Sequence, residues 1–222
     1  MKVAIRGGKQ TLFESGNPVK TLEVIEMKQT NQKILTMVIA ALLCAVGIVI
    51  PMFAPKIVLE PMSFTLASHV AIFIAMFISP PVAVAVTLGT SVGFFFAGLP
   101  PVIALRALSH LGFVAVGCLI LKKHPDVLLR PASTVLFNSI LAVVHAICEA
   151  LVVTLFYFGG MLNSGFYNKG FAFSVLLMVG VGTIAHSMID FGIALVVWKP
   201  VSRVIQIPVS APMASSQKRA AL

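Results

Sequence analysis

Six stretches of this chain stay apolar long enough to cross a bilayer, at positions 34–50, 63–79, 82–98, 102–121, 133–158 and 171–198. A hydrocarbon layer of about 30 Å takes about 20 apolar residues as a helix, so the pattern predicts an all-α bundle of six transmembrane helices. The junctions carry breakers or charge: Pro51, Pro80-Pro81, Pro100-Pro101, Lys122-Lys123, Gly159-Gly160 and Lys199-Pro200. This divides the chain into a polar N-terminal arm (1–33) that leads into the first helix, a transmembrane domain (34–198) and a polar tail (199–222). The arm lacks the basic, apolar and small-residue order of a cleaved signal peptide, and part of it is expected to be an over-long start.

Composition agrees. Of 222 residues 59% are hydrophobic and 10% charged, with a mean hydropathy of +1.03, so no soluble catalytic domain fits beside six spans. The net charge of +9 would suggest nucleic acid in a soluble protein. Here its distribution reports orientation instead. With the N-terminus inside, thirteen of the sixteen Lys and Arg fall in inside segments and two, Lys56 and Lys169, fall outside, while Arg106 lies within a span. That asymmetry places both termini in the cytoplasm. The outside connections at 51–62 and 159–170 are the long ones, as expected of a lid over an outward-opening site.

Ionisable side chains inside spans are costly and each needs a reason. Arg106 and His110, His145 and Glu149, and His186 and Asp190 are spaced i, i+4, so each pair shares a helix face. Asn138 lies on the face of His145, and His69 adds a polar group in the second run. Two readings compete: the pairs satisfy one another and join helices, or they line a ligand pocket. Three helices that all present a polar face favour the pocket. Arg106 is suited to gripping a carboxylate with its two-pronged guanidinium, and the alternative is an ion pair with Glu149 or Asp190.

Other signals are weak. Gly89 to Gly93 matches the G-x-S-x-G of hydrolases but lies inside a span. There is no P-loop and no H-E-x-x-H, so neither ATP hydrolysis, a metal site, a cofactor nor catalytic residues are expected. Cys44, Cys118 and Cys148 sit in apolar runs without a C-x-x-C pair and read as packing residues. Ala41 and Ala45 form a small-x-x-x-small face that lets another helix approach.

Together the alanine face, the long first outside connection and the stretch from Ile50 to Gly98 with the following LRALSH resemble the S components of energy-coupling factor (ECF) transporters, over roughly 34–198. The resemblance implies a non-enzymatic membrane subunit that binds a B-group vitamin from outside, under loops one, three and five. It would then work with a transmembrane coupling subunit (EcfT) and two ATP-binding subunits. In that family the helix-one motif often continues to a third small residue, where this chain has Val49. The pantothenate and niacin branches are the nearest. Both ligands carry a carboxylate for Arg106, and the five further polar groups Asn138, His145, Glu149, His186 and Asp190 favour pantothenate, with niacin the alternative. An intramembrane enzyme or a self-sufficient secondary transporter are the other classes to weigh. The first would need a nucleophile–base or metal constellation, and the second usually shows inverted repeats.

Overall fold

The computed structural model describes residues 18–59, 61–205 and 207–213. Helix α1 (Pro18–Phe53) already begins within the stretch assigned to the arm. A hairpin follows, β1 (Lys56–Leu59) antiparallel to β2 (Met62–Thr65), with Ile57 opposite Phe64. Then come α2 (Val70–Ile78), α3 (Pro80–Phe96), α4 (Pro101–Ser109), α5 (Leu111–Lys123), a 3₁₀ turn (Pro125–Leu129) and α6 (Pro131–Phe158). A short α7 (Ser164–Asn168) leads into a π-helical segment (Ala172–Val181) that continues as α8 (Gly182–Val204).

Among the described residues four helical stretches are long and apolar enough to cross a membrane: Ile25–Phe53, Pro101–Lys123, Pro131–Phe158 and Ala172–Val204. The 17-residue α3 is a shorter apolar helix. The second apolar run departs from expectation. It is not one span but a strand, a tight turn and a nine-residue helix. At 1.5 Å per residue, α2 extends only about 14 Å, half a hydrocarbon layer. Every residue of α2 is buried, and it packs among α1, α3, α5 and α8. Its apolar composition therefore reflects a position at the centre of the bundle rather than contact with lipid. Irregular backbone at membrane depth is tolerated only where protein or a cavity covers it, and both conditions hold here.

Local chemistry explains the breaks. Ser79 alone separates α2 from α3, in extended conformation, because a residue before proline avoids the helical region and Pro80-Pro81 open the next helix. Between α4 and α5 the fourth run bends at His110. The Ser109 hydroxyl donates to the Arg106 carbonyl at 2.7 Å, and the His110 N–H bonds three residues back to Ala107. Hydroxyl back-bonding of this kind bends helices.

The C-terminal end of α2 is closed by the chain that follows α8. The N–H groups of Ser210 and Ala211 donate to the carbonyls of Ile78 and Phe77, and the Trp198 indole donates to the Ala211 carbonyl. Carbonyls at a buried helix end need such partners. So part of the predicted tail, with Ile207 and Ala211 buried, is an integral plug.

Helix α1 stands apart. Its face with Cys44, Gly47 and Ile48 packs on Gly89, Thr90 and Gly93 of α3. A side chain at Gly93 would come within 2.3 Å of Ile48, so the glycine permits the approach. The opposite face, with Ala41, Ala45 and Val49, is exposed.

Candidate functional site

A cavity of about 420 Å³ lies beneath the connections that follow α1, α3 and α6. Lys56, Pro61, Leu99, Pro100, Leu162 and Asn163 come from those connections and form its mouth. Phe64 of β2, Phe94 of α3 and Phe166 of α7 give it aromatic walls, and Arg106, His110, Glu149, His69 and His186 converge from the helices. This is the usual make-up of a small-molecule site: mostly apolar, with a few converging polar groups.

Two buried carboxylates organise the polar groups. Asp190, on α8, holds the turn that precedes α2. Its Oδ1 accepts the Ala67 N–H at 2.8 Å; its Oδ2 accepts the His69 N–H at 2.9 Å and the Ser68 hydroxyl at 3.3 Å. The His69 Nδ1 is also 2.9 Å from Oδ2. The acid therefore sits on the N-terminus of α2, where backbone donors and the helix dipole favour a negative charge. Ala67 has φ +65°, a conformation rare for non-glycine residues, and Asp190 pins that strained turn. His186 lies beside the pair, 3.0 Å from the Ser68 hydroxyl and 3.4 Å from Asp190.

Glu149, on α6, is held by side chains instead. Its Oε2 accepts from Arg106 Nη2 and from the Thr183 hydroxyl, both at 2.8 Å. Its Oε1 is 3.3 Å from His110 Nε2 and 3.5 Å from His145 Nε2. Arg106 is not exhausted by this pair. Among the described residues its Nη1 reaches only the Met62 sulfur, at 3.9 Å, and its Nε has no hydrogen-bond partner.

Four imidazoles pack edge to face between the two acids. Ring centroids are 4.8 Å apart for His69 and His110, 4.6 Å for His69 and His145, 5.0 Å for His69 and His186, and 4.7 Å for His110 and His145. One donor atom each from His69, His110, His145 and Glu149 lies within 4.8 Å of the others, and His69, His186 and Asp190 form a second such group.

Of the eight polar residues singled out from sequence, six converge at or beside the cavity: His69, Arg106, His110, Glu149, His186 and, behind them, Asp190. His145 is fully buried one layer further in, with Nδ1 3.1 Å from the Ser187 hydroxyl. Asn138 is elsewhere: its amide donates to the Met188 carbonyl at 3.3 Å, and it does not line the cavity. The seven-residue spacing from His145 keeps Asn138 on the same face but moves it about 10 Å along the axis, beyond the cavity floor. Sequence reasoning passed over Thr183, Ser187 and Ser68, because hydroxyls in apolar runs read as neutral. Thr183 does sit three residues before His186 and seven before Asp190, on the charged face of α8, which is the signal that could have found it. Phe64 was also missed. Its ring lies against His186, and a side chain at Gly182 would come within 2.6 Å of it.

A multi-pass bundle that buries paired charges beneath three connections, around a pocket with a mouth at one end, is the architecture of a membrane protein that captures a small solute. Comparison with known proteins agrees. The chain is 41% identical over 186 residues to the niacin transporter NiaX of Lactococcus lactis subsp. cremoris (strain MG1363), covering 83% of this chain and 82% of that one. No family model matches, and no solved structure matches. The chain belongs to the S components of ECF vitamin transporters, as the sequence resemblance implied. It is a multi-pass cell-membrane transport protein and not an enzyme. Membership carries with it a coupling subunit, ATPase partners and a small vitamin as cargo.

Proposed function

We propose that this chain is the S component for niacin, holding the pyridine carboxylate in the cavity with Arg106 on the carboxylate and aromatic walls around the ring. The observation that carries this reading is the reserve of donors on Arg106: an arginine whose Nη2 is oriented by Glu149 while Nε and Nη1 have no oxygen partner among the described residues. An acid beside the guanidinium is what an apolar site needs when no anion is bound, since an uncompensated charge there is expensive. The name of the relative supports niacin rather than the pantothenate favoured from sequence. The reason for that preference also weakens on geometry. The polar groups that looked generous for a small ring are largely used on one another: Asp190 on the turn, His145 on Ser187, Asn138 on Met188. What remains suits one carboxylate and a flat ring beside Phe64, Phe94 and Phe166. Calorimetry on the purified chain tests the assignment. Nicotinate is expected to bind at least about 100-fold more tightly than pantothenate, about 2.7 kcal/mol. The reverse order overturns it.

The reading extends to orientation and partners. The cavity mouth faces outward and both termini face the cytoplasm. Cysteines placed near Lys56 and Lys169 are expected to react with an impermeant reagent on intact cells, and labelling near Lys122 contradicts the topology. The exposed Ala41 and Ala45 face docks the transmembrane coupling subunit, which two ATP-binding subunits drive. Leu at both positions is expected to abolish uptake and leave nicotinate binding intact, because close helix approach needs small residues. Unchanged uptake in the doubly substituted protein removes that role.

A further inference from the structure

We infer that His69, His110, His145 and Glu149 form a binding site for one divalent transition-metal ion of the Zn²⁺, Co²⁺ or Ni²⁺ type in the cavity wall. The sequence has no compact metal motif because the donors come from three places in the fold: α6 for His145 and Glu149, the bend between α4 and α5 for His110, and the turn before α2 for His69. The fold assembles what no short spacing encodes.

Three independent features support the site. The first is distance. A tetrahedral ion with bonds of about 2.0–2.1 Å needs donor atoms about 3.3–3.4 Å apart. Glu149 Oε1 lies 3.3 Å from His110 Nε2 and 3.5 Å from His145 Nε2, close to that spacing, while the His69 donor lies within 4.8 Å of all three and closes in as the ion binds. The second is the state of the nitrogens. His145 is fully buried, yet among the described residues its Nε2 has no hydrogen-bond partner and approaches Glu149 Oε1 only to 3.5 Å. A buried polar atom left so costs about 1–3 kcal/mol, and an ion bound there removes that cost.

The third feature is the outer layer. Metal-bound histidines characteristically give their other ring nitrogen to a carboxylate or another oxygen acceptor, which fixes the tautomer. Two of the three histidines do so: His69 Nδ1 lies 2.9 Å from Asp190 and His145 Nδ1 lies 3.1 Å from the Ser187 hydroxyl, while His110 Nδ1 has no hydrogen-bond partner among the described residues. Arg106 and Thr183 occupy Oε2 of Glu149, so Oε1 is the oxygen left for an ion. Charge also fits. With the neutral imidazoles that ligation requires, the charges of Arg106, Glu149 and Asp190 leave the cluster negative by one. A divalent ion makes it positive by one, which suits a pocket for an anion.

The test uses the full chain in detergent, stripped with a chelator and titrated with Co²⁺. The expected result is one ion per chain, with the intense visible bands of four-coordinate Co²⁺, displaced by Zn²⁺. In His145→Gln and Glu149→Gln the affinity is expected to fall by about 100-fold or more, while Asn138→Ala keeps it. Thermal unfolding confirms that each variant is folded. X-ray absorption on the Zn²⁺-loaded native chain needs no variant and is expected to count three imidazoles. Absence of stoichiometric Co²⁺ binding by the native chain overturns the site. So does unchanged affinity in both variants, or a bound ion with fewer than two imidazoles. None of these readouts involves the vitamin, so failure here leaves the niacin assignment standing, and the reverse also holds.

Discussion

Asp190 and Glu149 are two buried carboxylates about one cavity, and they do different work. Asp190 is answered by backbone as well as by side chains: beside the Ser68 hydroxyl and the His69 ring, the N–H groups of Ala67 and His69 end on it, and through them the strained turn before α2. Glu149 is answered wholly by side chains, namely Arg106, Thr183 and His110. An acid that binds backbone builds the site. An acid that binds an arginine can share that arginine with a ligand.

The comparison is sharpest where it can be broken. Asp190→Ala is expected to cost about 3–5 kcal/mol of stability, read as a fall in thermal unfolding temperature in detergent, because it strips the acceptor from buried N–H groups. No second substitution is expected to restore it, since the orphaned donors belong to the main chain. Recovery in a His69→Phe, Asp190→Ala double variant would mean that the acid serves only the imidazole.

The Glu149 pair is expected to behave otherwise. Arg106→Gln or Glu149→Gln alone costs about 2–3 kcal/mol of stability, less than the Asp190 loss because the Arg106 side chain keeps 19% of its surface exposed. The double variant is expected to regain most of that loss, as pairs replaced together do, while nicotinate binding stays lost. Additive losses of stability would show that the two side chains do not act as a pair.

How much of this was legible in the sequence depends on what each signal encodes. The i, i+4 pairs were legible because helix geometry is local: Arg106 with His110 and His186 with Asp190 did converge. The choice between a ligand grip and an ion pair for Arg106 was not legible, because it depends on which donors Glu149 leaves free. The half-length α2 was hidden as well. A run that is apolar on all sides looks alike whether lipid or protein surrounds it, and the hairpin strand at Met62–Thr65 continues that run without a break in polarity. Nor could the run reveal that His69 matters as much for its backbone N–H as for its ring.

The claim that Arg106 holds the carboxylate of the vitamin is tested most directly by a four-way calorimetric comparison: native chain and Arg106→Ala, each with nicotinate and with the uncharged nicotinamide. Arg106→Ala is expected to cost about 2–5 kcal/mol in nicotinate affinity. Nicotinamide is expected to bind the native chain weakly and to lose little further in the variant. If the two losses simply add, Arg106 does not touch the carboxylate, and its bond to Glu149 is structural only.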